Sequence, residues 1–393
     1  MMSQRKQSKL LFILTLLFVV SLIVVAILMY YTGKSRYDKQ SQVPEEMGET
    51  SGEVILTVGN GYGAELRLEE ESSFDASMYE ETDNSYELSG RWFKKDLEGQ
   101  SVWLTVTEGS MIYFKVSGAT EVDINFIEIT QLETPYYAYV IDGAEPVRQK
   151  ITESRIVLPD EGEHIVTIVI DGLTEREDKW YSEIGVAFQG IESNGEICGV
   201  LPRQKRIFFI GDSLTEGIMT LGGDAISDYN SAMHAYPWYT AEMLDAEPYF
   251  MGYGSTGIIA TGSFNSNSVA LDQYSISRPI PQDEYPSCDL IVINTGTNDI
   301  GVEPIVFING YQELLNKIHN RYPEVEVVCM IPFTQLHAQD IKDAVKDYDW
   351  CHVVETKDWE FTYSDEAQIH PDAEGSKVIA NHLAEYIAEE VQW

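Results

Sequence analysis

The sequence predicts two folded domains of different class behind an apolar N-terminal segment: an all-β sandwich or jelly roll, then an α/β domain whose parallel sheet is covered on both faces. Three observations carry this. Residues 53–200 show short alternating apolar runs separated by Gly, Asp and Asn, without a long helical period. After Pro202 short apolar runs alternate with stretches of helical spacing, the pattern of βα units. Leu10 to Tyr31 carries no charge at all.

That uncharged run is roughly 33 Å long as a helix, enough to cross a bilayer core of about 30 Å. It ends Met29-Tyr30-Tyr31-Thr32-Gly33, which offers no small-residue cleavage site, so residues 1–34 read as a tail and an uncleaved transmembrane anchor. Arg5, Lys6 and Lys9 before the span are balanced by Lys34, Arg36 and Lys39 after it. The tail is short, and a domain behind a signal-anchor is usually exported. The expectation is therefore a single-pass cell-membrane protein with its catalytic bulk extracytoplasmic. Residues 35–52 are polar and read as a linker.

The β domain, residues 53–200, is expected to open with Val54–Val58. It continues through strands at 101–106, 111–116, 122–127, 137–141, 164–170 and 184–188. In the second domain, residues 201–393, Arg206–Ile210, Asp289–Asn294 and Val325–Ile331 read as strands. Ile305, Ile308, Tyr311, Leu314, Leu315 and Ile318 mark one amphipathic helix, and Val378, Ile379, Leu383, Ile387 and Val391 mark the last. Polar residues just after these strands sit at their carboxyl ends, where open α/β sheets bind ligands.

Charge and cysteine content exclude several classes of function. With 64 acidic against 26 basic residues the formal charge is −38, which repels nucleic acid and other polyanions. The four cysteines are scattered, and Cys329 sits in a strand pattern as a small buried hydrophobe. There is no His-Glu-x-x-His, His-x-His or Cys cluster to hold a metal. The glycines at 61–63 and 252–257 lack the acidic ribose partner of a nucleotide site. No cofactor is expected.

Gly211-Asp212-Ser213-Leu214 directly follows the first parallel strand, so the Ser213 hydroxyl would lie near unpaired backbone N–H groups at the start of a helix. A hydroxyl nucleophile needs a base and its intermediate needs further donors. Gly254-Ser255-Thr256-Gly257 and Gly296-Thr297-Asn298-Asp299 each follow a strand and offer donors, while His370-Pro371 stands before the last helix.

These four blocks, in this order, resemble those of the SGNH (GDSL-type) hydrolase family over about residues 204–393. The resemblance implies a three-layer α/β/α flavodoxin-like fold, Ser213 as nucleophile and His370 as base. It also implies an oxyanion hole from the Ser213 and Gly257 N–H groups and the Asn298 side chain. The family places an Asp three residues before the histidine, where this chain has Ala367. A methyl group cannot orient an imidazole. Either His370 works in a dyad with Ser213, its other ring N–H on a backbone carbonyl, or Asp365 or Glu366 reaches in from a shifted loop; the dyad is favoured. That departure, a preceding β domain, and the segments Gly90-Arg91-Trp92 and Ile141-Asp142-Gly143 resemble carbohydrate esterase family 2 over about 85–393. This implies removal of O-acetyl groups from a polysaccharide or oligosaccharide. Trp238, Tyr253 and Trp359 are the candidate rings against such an acetylated carbohydrate. A short-chain lipid or general carboxylesterase, a glycan O-acetyltransferase and an inert glycan-binding surface protein are the alternatives.

Overall fold

A computed structural model describes residues 79–130, 132–263 and 271–393. The expected anchor in 1–34, the linker 35–52 and the first strand at Val54–Val58 lie outside them. Among the described residues no helix is long and apolar enough to cross a membrane.

Among the described residues two antiparallel sheets form the first domain, which is jelly-roll-like. One runs in the order β1 (Glu87–Ser89), β4 (Met111–Ser117), β9 (His164–Gly172), β6 (Tyr136–Ile141) and β7 (Val147–Lys150). In this sheet β11 (Glu196–Gly199) also pairs with β4. The other runs β2 (Phe93–Leu97), β3 (Gln100–Thr105), β10 (Gly185–Glu192), β5 (Glu121–Ile129) and β8 (Arg155–Val157). Ile112, Phe114 and Val116 of β4 and Val166, Ile168 and Ile170 of β9 point between the sheets. There they meet Val122, Ile124, Val186 and Phe188, with Trp92 in the same core.

The opposite face of β4 and β9 is buried as well. Met111, Tyr113, Ile165 and Val169 pack on Ala232, Met233, Trp238 and Phe250 of the second domain. This is why Met111-Ile112-Tyr113-Phe114 is apolar without alternation: a strand covered on both faces has no polar side to show. Across the sandwich, Phe93, Val102, Leu104 and Ala187 are covered by Tyr274 and Ile280. A short helix α1 (Lys179–Ser182), N-capped by Asp178 through the Tyr181 N–H, sits between β9 and β10.

Among its described residues the second domain has one parallel sheet of five strands. They are β12 (Arg206–Gly211), β13 (Glu247–Gly252), β16 (Leu290–Asn294), β17 (Glu326–Met330) and β18 (Cys351–Val354), ordered β13-β12-β16-β17-β18. The hairpin β14 (Gln273–Ser275) and β15 (Arg278–Pro279) stands apart from it. Period-two alternation splits the strands between two helical layers. Phe208, Ile210, Ile291, Ile293, Val327 and Cys329 face the side with Phe307, Tyr311, Leu314, Leu315, Ile318 and Ile341. Those helical residues belong to α4 (Pro304–Arg321) and α5 (Ala338–Val345). Ile207, Phe209, Leu290, Val292, Val328 and Met330 face Tyr236, Ala241, Ile379 and Leu383. These lie on α3 (Tyr236–Met243) and α6 (Ala373–Tyr386), while Ser213–Glu216 forms the single-turn helix α2. The sheet order reverses beside β12, so ligands of such a sheet bind off the carboxyl end of the strand that leads to Ser213.

Candidate active site

Gly211 ends β12 against the Thr215 side chain and the Asn294 carbonyl. A Cβ there would lie 2.1 Å from Thr215 Oγ1, so only glycine lets the chain turn at this point. Asp212 caps the turn, accepting the Leu214 N–H at 3.1 Å through Oδ1. Ser213 is thereby held at the start of α2, and its own N–H has no hydrogen-bond partner among the described residues.

His370 Nε2 lies 3.0 Å from Ser213 Oγ, and His370 Nδ1 lies 2.5 Å from Asp365 Oδ2. With the Nδ1 proton donated to a carboxylate, Nε2 presents its lone pair to the hydroxyl, which can pass its proton there as it attacks a carbonyl. The favoured dyad is therefore corrected: the ring N–H goes to a carboxylate and not to a backbone carbonyl. The acid stands five residues before the histidine. A turn makes up the difference, closed by the Gln368 N–H on the Asp365 carbonyl at 3.2 Å, with Gln368 at φ 54°. Asp365 also accepts the Ile369 N–H at 2.9 Å and the His370 N–H at 3.2 Å. Burial pushes its carboxyl up, but these N–H groups and the imidazole outweigh burial and hold it below the ordinary aspartate value. Glu366, the other candidate acid, is exposed.

The donors are placed differently from expectation. The Gly257 N–H is taken by the Ala260 carbonyl at 2.9 Å. Gly257 serves instead to admit Asp299, whose carboxylate would meet a Cβ at 2.4 Å. That carboxylate gathers the N–H groups of Ile258, Ile259 and Ala260 at 2.7, 2.8 and 2.8 Å. Ser255, two residues earlier, lines the same cavity as Ser213. It adopts the left-handed φ of 60°, and its N–H has no partner among the described residues. Asn298 also lines the cavity, with Nδ2 donating to the Thr256 carbonyl at 2.9 Å and to Asp212 Oδ2 at 3.3 Å.

The cavity over Ser213 and His370 has a volume of ≈ 440 Å³. Ile218, Met219, Ala225, Ile300, Leu336 and Ile369 form its apolar wall; Thr297, Thr334 and Ser263 add hydroxyls, and Glu175 comes from the β domain. None of its described lining residues is Phe, Tyr or Trp. The three candidate rings lie elsewhere. Trp238 borders a separate cavity of ≈ 700 Å³ between the domains. Tyr253 is buried edge-on to Trp180, with its hydroxyl 3.4 Å from Thr107 Oγ1. Trp359 stacks on His382 at 4.9 Å. Each is consumed in packing that involves a second element or the other domain. The apolar wall was missed because its members are single hydrophobes in loops; Ile300, at 83% exposure right after Asn298-Asp299, is the one visible signal. Among the described residues no group of His, Cys, Asp and Glu is placed to hold a metal ion.

Asp212 is fully buried, and burial first, then the nearby Asp299 charge, pushes its carboxyl up to about 7. The folded chain thus binds this proton more tightly than the unfolded one. Its contribution to stability is complete below about pH 4 and is lost as pH rises through about 7. Thermal melts are expected to show Tm falling across that window, and the fall is expected to shrink in Asp212→Asn, which keeps the capping oxygen but cannot ionise.

Residues 209–378 match the model of the GDSL-like Lipase/Acylhydrolase family. This segment is a GDSL-type hydrolase domain. No curated protein matches the chain. Among solved structures, an acetyl xylan esterase from the rumen bacterium Butyrivibrio proteoclasticus is similar with TM-score 0.66 and 16% identity, over 80% of this chain and 99% of that one. A family two carbohydrate esterase from Cellvibrio japonicus gives 0.65 and 18%, over 79% and 96%. A salicylyl-acyltransferase from a tetracycline biosynthetic pathway gives 0.56 and 12%, over 79% and 97%. At these identities the likeness is one of fold, and it extends through the β domain as well as the GDSL-type domain.

Proposed function

We propose that this protein is a serine esterase that removes O-acetyl groups from a polysaccharide or oligosaccharide. The observation that carries the chemistry is the chain Asp365–His370–Ser213 in a GDSL-type domain at the mouth of an open cavity. Ser213 Oγ attacks the acetyl carbonyl as His370 takes its proton, and His370 returns that proton to the departing sugar hydroxyl. Water then repeats the sequence on the acetyl-enzyme. The Ser213 and Ser255 N–H groups, which have no other partner among the described residues, are the oxyanion donors. The Asn298 amide joins them by giving up its longer bond to Asp212. The substrate class is supported by the two-domain fold shared with the carbohydrate esterases.

The apolar wall favours a second reading, a general short-chain carboxylesterase. A panel of 4-nitrophenyl acetate, butyrate and octanoate, with acetylated xylan beside them, separates the two. A sugar deacetylase releases acetate from the polymer and loses activity steeply by butyrate. Undiminished butyrate hydrolysis with an inert polymer overturns the carbohydrate reading. For residues 10–31 we propose a single-pass anchor with the catalytic domain outside. Protease added to intact cells is expected to digest that domain; full protection contradicts it.

A further inference from the structure

Four ionisable side chains meet between the two domains, one helical turn from Ser213. Lys179 of α1 pairs with Glu175 in the preceding loop and with Glu216, the last residue of α2. Glu108, in the turn between β3 and β4, faces the same group. The Lys179, Glu175 and Glu216 side chains are 7%, 8% and 1% exposed, and Glu108 is fully buried. Three carboxylates thus share one ammonium away from water. Burial pushes Glu108 and Glu216 above the ordinary glutamate value. Lys179 is pulled down by burial but is raised on balance by the three carboxylates around it.

Two parts of the site rest on this cluster. Glu216 belongs to the same single turn as Ser213, and a Cβ on Gly252 would come 2.6 Å from its backbone nitrogen. On the other side, a Cβ on Gly254 would come 1.9 Å from Glu175 Oε2, so the loop that presents Ser255 lies directly on that carboxylate. The Gly254 N–H also faces Glu216 and favours its charged form. The cluster is therefore the common support of the nucleophile turn and the Ser255 loop. Three of its four members come from the β domain.

We propose that Lys179 is a positioning residue for the esterase: by neutralising the acid cluster beneath Ser213 and Ser255 it holds the nucleophile and the oxyanion donor at one spacing. The proposal rests on Ser213 being the nucleophile. Without the ammonium, ionised carboxylates repel one another across the junction of the turn and the loop, and their charge opposes an oxyanion forming beside Ser255. Both effects act more strongly on the forming oxyanion than on a neutral ester lying against Glu175, so the loss falls mainly on kcat.

The test uses the full chain and 4-nitrophenyl acetate, with Lys179→Met, Lys179→Arg, Glu216→Gln and the Lys179→Met/Glu216→Gln double variant, each checked for folding by its Tm. Lys179→Met is expected to lower kcat roughly 10- to 100-fold with KM within about twofold. The deficit should deepen from pH 6 to pH 9 as the unpaired carboxylates ionise. Lys179→Arg and the double variant are expected to recover most of the loss, because each restores the charge balance. A kcat for Lys179→Met within about twofold of wild type at every pH overturns the proposal, as does a loss confined to KM. If Lys179→Met does not fold, Lys179→Gln and the Glu216→Gln background decide. Glu216→Gln lowers the charge that Lys179 must balance. Lys179→Gln made in that background is therefore expected to keep most of the kcat that Lys179→Gln alone loses, and equal losses in the two backgrounds overturn the proposal. Ser213→Ala is run alongside. Full activity in that variant defeats the nucleophile reading and the proposal with it, whereas an inactive Ser213→Ala beside an unaffected Lys179→Met defeats the proposal alone.

Discussion

Ser213→Ala is expected to abolish turnover of acetate esters, lowering kcat by roughly 10⁴- to 10⁶-fold with little change in melting temperature. The size follows from the site: Oγ is the atom aligned on His370 Nε2 at 3.0 Å, and no other hydroxyl hydrogen-bonds to that nitrogen in the described structure. The residue is 9% exposed and its hydroxyl serves no cap contact, since Asp212 caps the turn. Removing it therefore takes away chemistry and almost no packing. Activity that survives within tenfold would mean that water, activated by His370, attacks directly, and the acyl-enzyme route would be wrong.

Asp365→Ala is the second large effect, a loss of roughly 10²- to 10⁴-fold in kcat. The carboxylate does two jobs that alanine cannot. It fixes the imidazole proton on Nδ1 at 2.5 Å, so that Nε2 faces the serine, and it stabilises the imidazolium formed during attack. It also ties the loop through the Ile369 and His370 N–H groups, so part of the loss comes from a looser histidine. Asp365→Asn separates the two roles: the amide oxygen keeps some of the loop bonds and the charge is gone. Glu366→Ala, by contrast, should leave rate and stability within about twofold, because its side chain is exposed. Equal rates in wild type and Asp365→Ala would restore the dyad.

How much of this was legible in sequence depended on how local each signal is. The parallel sheet and Ser213 were readable because strand, glycine turn and serine are contiguous. The strands of the sandwich core were readable as short apolar runs between turn residues, but short edge strands such as Glu87–Ser89 and Arg155–Val157 are too brief to stand out. Asp365 was left open because the reach of a five-residue spacing depends on the left-handed turn at Gln368, a position where the residue type gives no warning. Gly257 has the right residue at the wrong depth. Its glycine is required by the Asp299 carboxylate, and an N–H with no partner among the described residues belongs instead to Ser255, a serine in a glycine-like conformation. The aromatic candidates failed for a third reason. Whether Tyr253 or Trp238 faces solvent is decided by the β domain packing over them, and no periodicity within their own segment records that contact.

The acyl-enzyme route requires a covalent bond formed at Ser213. Wild-type chain mixed with 4-nitrophenyl acetate and quenched in acid within the first turnovers, then digested and weighed by mass spectrometry, tests it most directly. One acetyl group is expected on the peptide containing Ser213, absent in Ser213→Ala. An acetyl group found on another residue, with the Ser213 peptide unmodified, would contradict that route.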